Sequence, residues 1–134
     1  MWQKGGMSTP ENEDCESTMK PGKISWAELT TSDVDAAIAY YTGLFGWTTQ
    51  AFGEEYTMFV QDGVPFAGVL KSPMPEVPTH WKSYVIVADI DASIAHSTSL
   101  GGKLCWGPEN IPTVGRIAIV QDPQGAVIGL HQPE

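Results

Sequence analysis

Apolar residues recur at helical spacing at Val34, Ile38, Tyr41 and Phe45, which predicts an amphipathic helix. Ser32 or Asp33 can cap its first amides, and Gly46 stands where a left-handed helix stop belongs. A weaker helical pattern, Ile90, Ile94 and Leu100, can be capped by Asp89 or Asp91 and is stopped at Gly101-Gly102. Ser93, Ser97, Thr98 and Ser99 lower its propensity, so packing has to hold it in place. Around the helices lie strand-like runs at Ile24–Thr30, Trp47–Phe52, Tyr56–Gln61 and Phe66–Lys71. A second set follows at Trp81–Ala88, Lys103–Trp106, Gly115–Gln121 and Ala126–His131. Asp62-Gly63 and Asp122-Pro123-Gln124-Gly125 are turn signals between consecutive strands. The order is strand, helix, three strands, repeated once.

The repetition is also visible residue by residue. The pairs Asp33/Asp89, Asp35/Asp91, Ala36/Ala92, Ile38/Ile94, Ala39/Ala95, Thr42/Thr98, Leu44/Leu100 and Gly46/Gly102 share one spacing of 56 residues. Val60-Gln61-Asp62 returns as Val120-Gln121-Asp122, near the end of each half, at a spacing of 60. The chain therefore reads as a tail over residues 1–22 and one domain over 23–134. Within the domain, module one covers 24–71, a linker with Pro73, Pro75 and Pro78 covers 72–80, and module two covers 81–132.

Composition narrows the setting. A length of 134 residues with 42% hydrophobic content suits a single folded domain with one core. No apolar run approaches the roughly 20 residues of a membrane helix. Met1 to Gly6 lack the apolar stretch of a secretory signal, so a cytoplasmic location is the default expectation. The formal charge of −9, with Arg116 the only arginine, disfavours nucleic acid as a partner. The tail has few apolar residues, carries Glu11, Glu13, Asp14 and Glu16, and is expected to be disordered; Met7 offers a later start. Cys15 and Cys105 make neither a disulfide framework nor a zinc spacing, and Cys105 is expected as a small core residue.

The element order, with Asp33-Val-Asp-Ala-Ala-Ile-Ala-Tyr-Tyr-Thr-Gly-Leu-Phe-Gly-Trp47 and Gln121-Asp-Pro-Gln-Gly125, resembles the vicinal oxygen chelate superfamily of glyoxalase I, bleomycin-resistance proteins and extradiol dioxygenases. The resemblance covers residues 24 to 132. Trp26-Ala-Glu-Leu-Thr-Thr-Ser-Asp33 and Trp81-Lys-Ser-Tyr84 look like a bacterial glyoxalase-like branch. It implies an α+β fold of two tandem βαβββ modules whose curved sheets form a cup around a small ligand. Because that superfamily hosts several chemistries and plain binding proteins, fold alone does not settle activity.

Strand alternation indicates which side chains face the cup. Ala27 and Leu29 would face the helix, leaving Trp26, Glu28 and Thr30 opposite. Val85 and Val87 would do the same, leaving Lys82, Tyr84 and Ile86 opposite. Phe66, Gly68 and Leu70 take the cup side of their strand, and Val127, Gly129 and His131 take it on the last. Metal-dependent members of the superfamily place His, Gln or Glu at one position on each of these strands. The resemblance puts those positions at Trp26, Gly68, Lys82 and Gly129, none of which offers an ordinary ligand.

Loss of the metal implies a largely apolar cup lined by Trp26, Met58, Phe66, Tyr84 and Trp106, with Glu28, Lys82 and His131 as its polar groups. The leading expectation is a metal-free protein without a cofactor that binds a small organic molecule, apolar or aromatic. The alternative is a lyase, isomerase or dioxygenase that uses a displaced divalent ion held by Glu28, His80 and His131, or Glu28 and His131 as an acid–base pair. His131 can equally be solvated near the C-terminus or bonded to Glu28, and the aromatics can equally fill the cup as core. Trp47 and Trp106 can also pack against a partner subunit. The oligomeric state stays open, with a homodimer among the expectations because many such folds pair.

Overall fold

The computed structural model describes residues 20–134. The tail expected to be disordered, with Met7 and Cys15, lies outside the described residues up to position 19. The elements run β1 (Ile24–Thr31), α1 (Val34–Phe45), β2 (Thr48–Phe52), β3 (Tyr56–Gln61), β4 (Val64–Lys71), β5 (His80–Ile86), α2 (Ile90–Ser99), β6 (Lys103–Ile111), β7 (Gly115–Gln121) and β8 (Val127–Pro133). This is strand, helix and three strands, twice: the α+β fold of two tandem βαβββ modules. By contacts the described residues separate into two compact units, Trp26–Ser83 and Tyr84–Glu134 with residues 20–25. Among the described residues no helix is long and apolar enough to cross a membrane.

In the first unit the strand order is β2-β3-β4-β1. β1 and β4 are parallel, with Glu28 opposite Gly68, and β3 runs antiparallel to both β2 and β4. The Asp33 carboxylate accepts from the Ala36 amide at 3.0 Å and starts α1. Gly46, at φ 76°, ends it with its own amide on the Thr42 carbonyl. One face of the sheet packs on α1 through Leu29, Phe59, Ala67 and Val69, joined by Val34, Ile38, Tyr41 and Trp47. Full burial of Leu29, Phe59 and Val69 contributes roughly 1.5–3 kcal/mol for each side chain.

Phe66 corrects the expectation drawn from alternation. It packs against this helix-side core, its ring 4.7 Å from Trp47 between centroids. The ladder between β3 and β4 shifts register at Phe59/Val60, so Pro65 rather than Phe66 stands opposite Val60. A bulge of this kind re-aims the side chains beside it, and a period of two fails across it.

In the second unit the strand order is β5-β8-β7-β6. Ile90, Ala118, Val120 and Leu130 form its core, with Val87, Ile94 and Ile128 packed alongside. Asp89 caps α2 through the Ala92 amide at 3.1 Å, and the Gln132 side chain receives the Ile90 amide at 2.8 Å. Gly22 and Lys23 are tied to Ile86 by backbone hydrogen bonds of 2.7 and 2.9 Å. β6 continues to Ile111, past the Trp106 at which the pattern suggested it would stop. Register shifts on both sides of Trp106 break the alternation without ending the ladder. Cys105 lies on this strand and is exposed, not in the core as expected.

Candidate functional site

In the unit spanning Trp26–Ser83, the face of β1 turned away from α1 carries Trp26, Glu28 and Thr30, as alternation requires. Glu28 and Lys82 are 9% and 8% exposed, so two opposite charges are removed from water together. The Lys82 ammonium donates to Glu28 Oε2 at 2.9 Å and reaches Thr30 Oγ1 at 3.5 Å. Tyr56 donates its hydroxyl proton to Glu28 Oε1 at 2.9 Å and accepts from Trp26 Nε1 at 3.0 Å. Both carboxylate oxygens therefore hold a donor, the arrangement that makes a buried charge tolerable.

Gly68 makes this network possible. It is buried opposite Met58 on one side and Glu28 on the other, and the Tyr56 phenol lies across its Cα. A Cβ built at Gly68 would fall inside that phenol. Glycine inside a strand here marks a close approach. Burial, reinforced by the Glu28 carboxylate, pushes the Tyr56 phenol well above its usual range, against a smaller pull from the Trp26 N–H. Tyr56 is thus a neutral hydrogen-bond donor at ordinary pH and not a base.

Tyr56 was absent from the residues singled out in the sequence, although it shares strand and face with Met58, two positions on. Phe52, opposite Tyr56 on β2 with ring centroids 6.3 Å apart, is likewise not among them. Trp26, Tyr56, Met58 and Leu70 are half-buried and Phe52 is 38% exposed. Around the buried ion pair this leaves a largely apolar surface.

The second unit treats its glycine in a related way. Tyr84 is paired with Gly129, and its ring occupies the space a Cβ at Gly129 would need. His131 pairs with Ile86 and Ile117, and its Nε2–H donates to the Val114 carbonyl at 2.7 Å. Trp106 sits on the outermost strand, 45% exposed. Arg116 holds Asp91 in a two-pronged pair at 2.7 and 3.3 Å. The guanidinium keeps the Asp91 carboxyl below its usual range.

The residues at the positions that the resemblance assigns to metal ligands are engaged otherwise, each within its own unit. Lys82 brings an ammonium already bound to a carboxylate, Trp26 offers an N–H donor, and Gly68 and Gly129 lie under tyrosine rings. His80 directs its Nδ1 to the Pro78 carbonyl at 2.8 Å. Among the described residues no three His, Cys, Asp or Glu side chains gather as an ion requires. Within its own unit Glu28 accepts from Lys82 and Tyr56, and within the other His131 donates to the Val114 carbonyl. An open groove of about 630 Å³ lies between α2 and the β7–β8 turn, on the helix side of its sheet, lined by Ala92, His96, Leu100 and Pro123. Its carboxylates, Asp89 and Asp122, are spent on backbone amides of a cap and a turn.

The chain resembles several known proteins. At 37% identity over 116 residues it matches the glyoxylase-named protein CFP32 of Mycobacterium bovis, covering 84% of this chain and 44% of that one. At 30% identity over 128 residues it matches the anthracycline biosynthesis protein DnrV of Streptomyces peucetius, covering 82% and 46%. It thus spans less than half the length of these relatives. Among solved structures, methylmalonyl-CoA epimerase of Streptomyces coelicolor shares the fold, with a TM-score of 0.59 at 18% identity over 85% of this chain and 99% of that one. Residues 23–130 match the family model described as Glyoxalase/Bleomycin resistance protein/Dioxygenase superfamily, and the chain belongs to that superfamily.

Proposed function

We propose that this protein binds a small, mainly apolar organic molecule and does so without a resident divalent metal. One observation supports the reading: Lys82 is committed to Glu28 and Tyr56 lies over Gly68, and positions 68 and 82 are two at which the superfamily resemblance implies metal ligands. The ammonium supplies the positive charge that the Glu28 carboxylate needs. Around it, Trp26, Phe52, Tyr56, Met58 and Leu70 supply the apolar contact area that small-molecule sites favour. Relatives named for glyoxylase chemistry and anthracycline biosynthesis are in keeping with a small organic ligand.

Thermal unfolding of the purified protein tests this directly. A ligand selective for the folded state stabilises it by RT ln(1 + [L]/Kd), about 2.7 kcal/mol at a hundredfold excess over Kd. EDTA, Ni²⁺, Zn²⁺, Mn²⁺ and Fe²⁺ are each expected to leave the midpoint unchanged, while members of an organic-compound library raise it. A stoichiometric divalent ion whose stabilisation disappears in Glu28→Ala would overturn the metal-free part. A library that gives no hit would count against binding as the function.

A further inference from the structure

We propose that the molecule held by the unit spanning Trp26–Ser83 is electrically neutral: a flat, uncharged ring system lying on Trp26, Phe52, Tyr56 and Met58. This deepens the binding reading above and rests on it. Trp26, Tyr56 and Met58 are half-buried and Phe52 is 38% exposed, and the buried charges beside them are paired with one another.

The cancellation is specific. A carboxylate or phosphate ester seeking Lys82 must compete with Glu28 Oε2 at 2.9 Å and would leave that carboxylate buried without its cation. An amine seeking Glu28 must displace either Lys82 or the Tyr56 hydroxyl, both at 2.9 Å. In each case the ligand loses hydration and gains no counter-charge that was not already in use, so the charged form is penalised. The chain's net charge of −9 adds a long-range repulsion for anions. Glu54 and Glu55, in the turn between β2 and β3, are exposed, so solvent screens them and they do not set the contact energy. The Trp26 N–H and the Tyr56 hydroxyl proton are both donated within the network, which leaves the ring faces as the recognition surface. Ring faces select for shape and stacking.

A matched set of probes on one ring separates the possibilities: 2-naphthalenemethanol, 2-naphthoate and 2-naphthylmethylammonium, titrated at pH 7 by calorimetry and tryptophan fluorescence. The alcohol is expected to bind at least about tenfold more tightly than either ion. Phe52→Ala, at a position 38% exposed, is expected to weaken the alcohol at least about fivefold, and Met58→Ala similarly. Tightest binding by naphthoate that is lost in Lys82→Met overturns the neutrality inference and leaves the binding reading standing. Tightest binding by the ammonium that is lost in Glu28→Gln does the same. Alcohol binding unchanged in both Phe52→Ala and Met58→Ala moves the ligand elsewhere and overturns the assignment to this surface. If none of the three binds protein that still unfolds cooperatively, the binding reading falls and the inference with it.

Discussion

Lys82→Met is the most informative single change, because it removes one charge of a buried pair while nearly conserving side-chain volume. The side chains of Lys82 and Glu28 are 6% and 12% exposed and meet at 2.9 Å. An exposed pair of this length would contribute under about 1 kcal/mol. A buried one behaves differently: losing one partner strands the other, typically at 3–5 kcal/mol. Tyr56 still donates to Glu28 Oε1 in the variant and offsets part of this. We therefore expect a loss of about 3 kcal/mol. For a domain of this size, that corresponds to a midpoint lower by roughly 10–15 °C.

Urea unfolding followed by circular dichroism measures the loss, and a double-mutant cycle assigns it. Adding Glu28→Gln to Lys82→Met removes the stranded charge and keeps an acceptor for Tyr56. The double variant should recover to within about 1 kcal/mol of the parent. High salt should leave these differences unchanged, since ions do not reach a buried pair. A loss below about 1 kcal/mol in Lys82→Met, or a coupling below about 0.5 kcal/mol in the cycle, would refute the reasoning: the two charges would then be acting as surface groups.

Three further outcomes follow from the same geometry. Gly68→Ala drives a methyl into the Tyr56 phenol and should cost about 1–3 kcal/mol, and Tyr56→Ala in the same chain should absorb most of that conflict, as a double-mutant cycle by urea unfolding would show. Because the Tyr56 phenol is raised in the folded state, its contribution is complete below the ordinary phenol value of about 10 and declines above it by about 1.4 kcal/mol per pH unit; Tyr56→Phe should remove that slope from an alkaline stability profile. Asp91 is depressed by Arg116, so its contribution is present above the ordinary carboxylate range and is lost as pH falls through the folded value. The gap between parent and Arg116→Gln in urea midpoints should then be smaller at pH 3 than at pH 7, with a small effect at both.

How legible the molecule was in its sequence depended on how local each cause is. Helix starts and stops are set by neighbours within four residues, so Asp33, Gly46 and Asp89 appear where the pattern put them. Alternation placed Glu28 on the side away from Leu29, because β1 keeps an unbroken ladder with β4 from Ala27 to Thr31. Alternation failed for Phe66 and for the end of β6, and both lie beside register shifts that depend on the neighbouring strand. The partners of Glu28 were harder still. Tyr56 and Lys82 are 28 and 54 residues away in sequence, and no spacing rule reaches that far. One signal was nonetheless present: a glycine in mid-strand leaves room for a large side chain from the adjacent strand, and Tyr56 shares a face with Met58, opposite Gly68.

The two halves of the repeat cover their glycines with different strands. At the repeat spacing of 56, Tyr84 corresponds to Glu28; at the later spacing of 60, Arg116 corresponds to Tyr56. In the first half the ring over Gly68 comes from β3, and the first strand supplies the carboxylate that holds it. In the second half the first-strand residue is itself the ring, lying on Gly129, while the β7 residue in the place of Tyr56 turns to Asp91. Gly68 and Gly129 are thus each the one residue type that leaves room for its tyrosine ring against the strand. Restoring a coordinating side chain at position 68 would therefore need Tyr56 removed in the same chain. Without Tyr56, Glu28 also loses the phenol's hydrogen bond on Oε1, so a change at the glycine reaches the ion pair through the phenol.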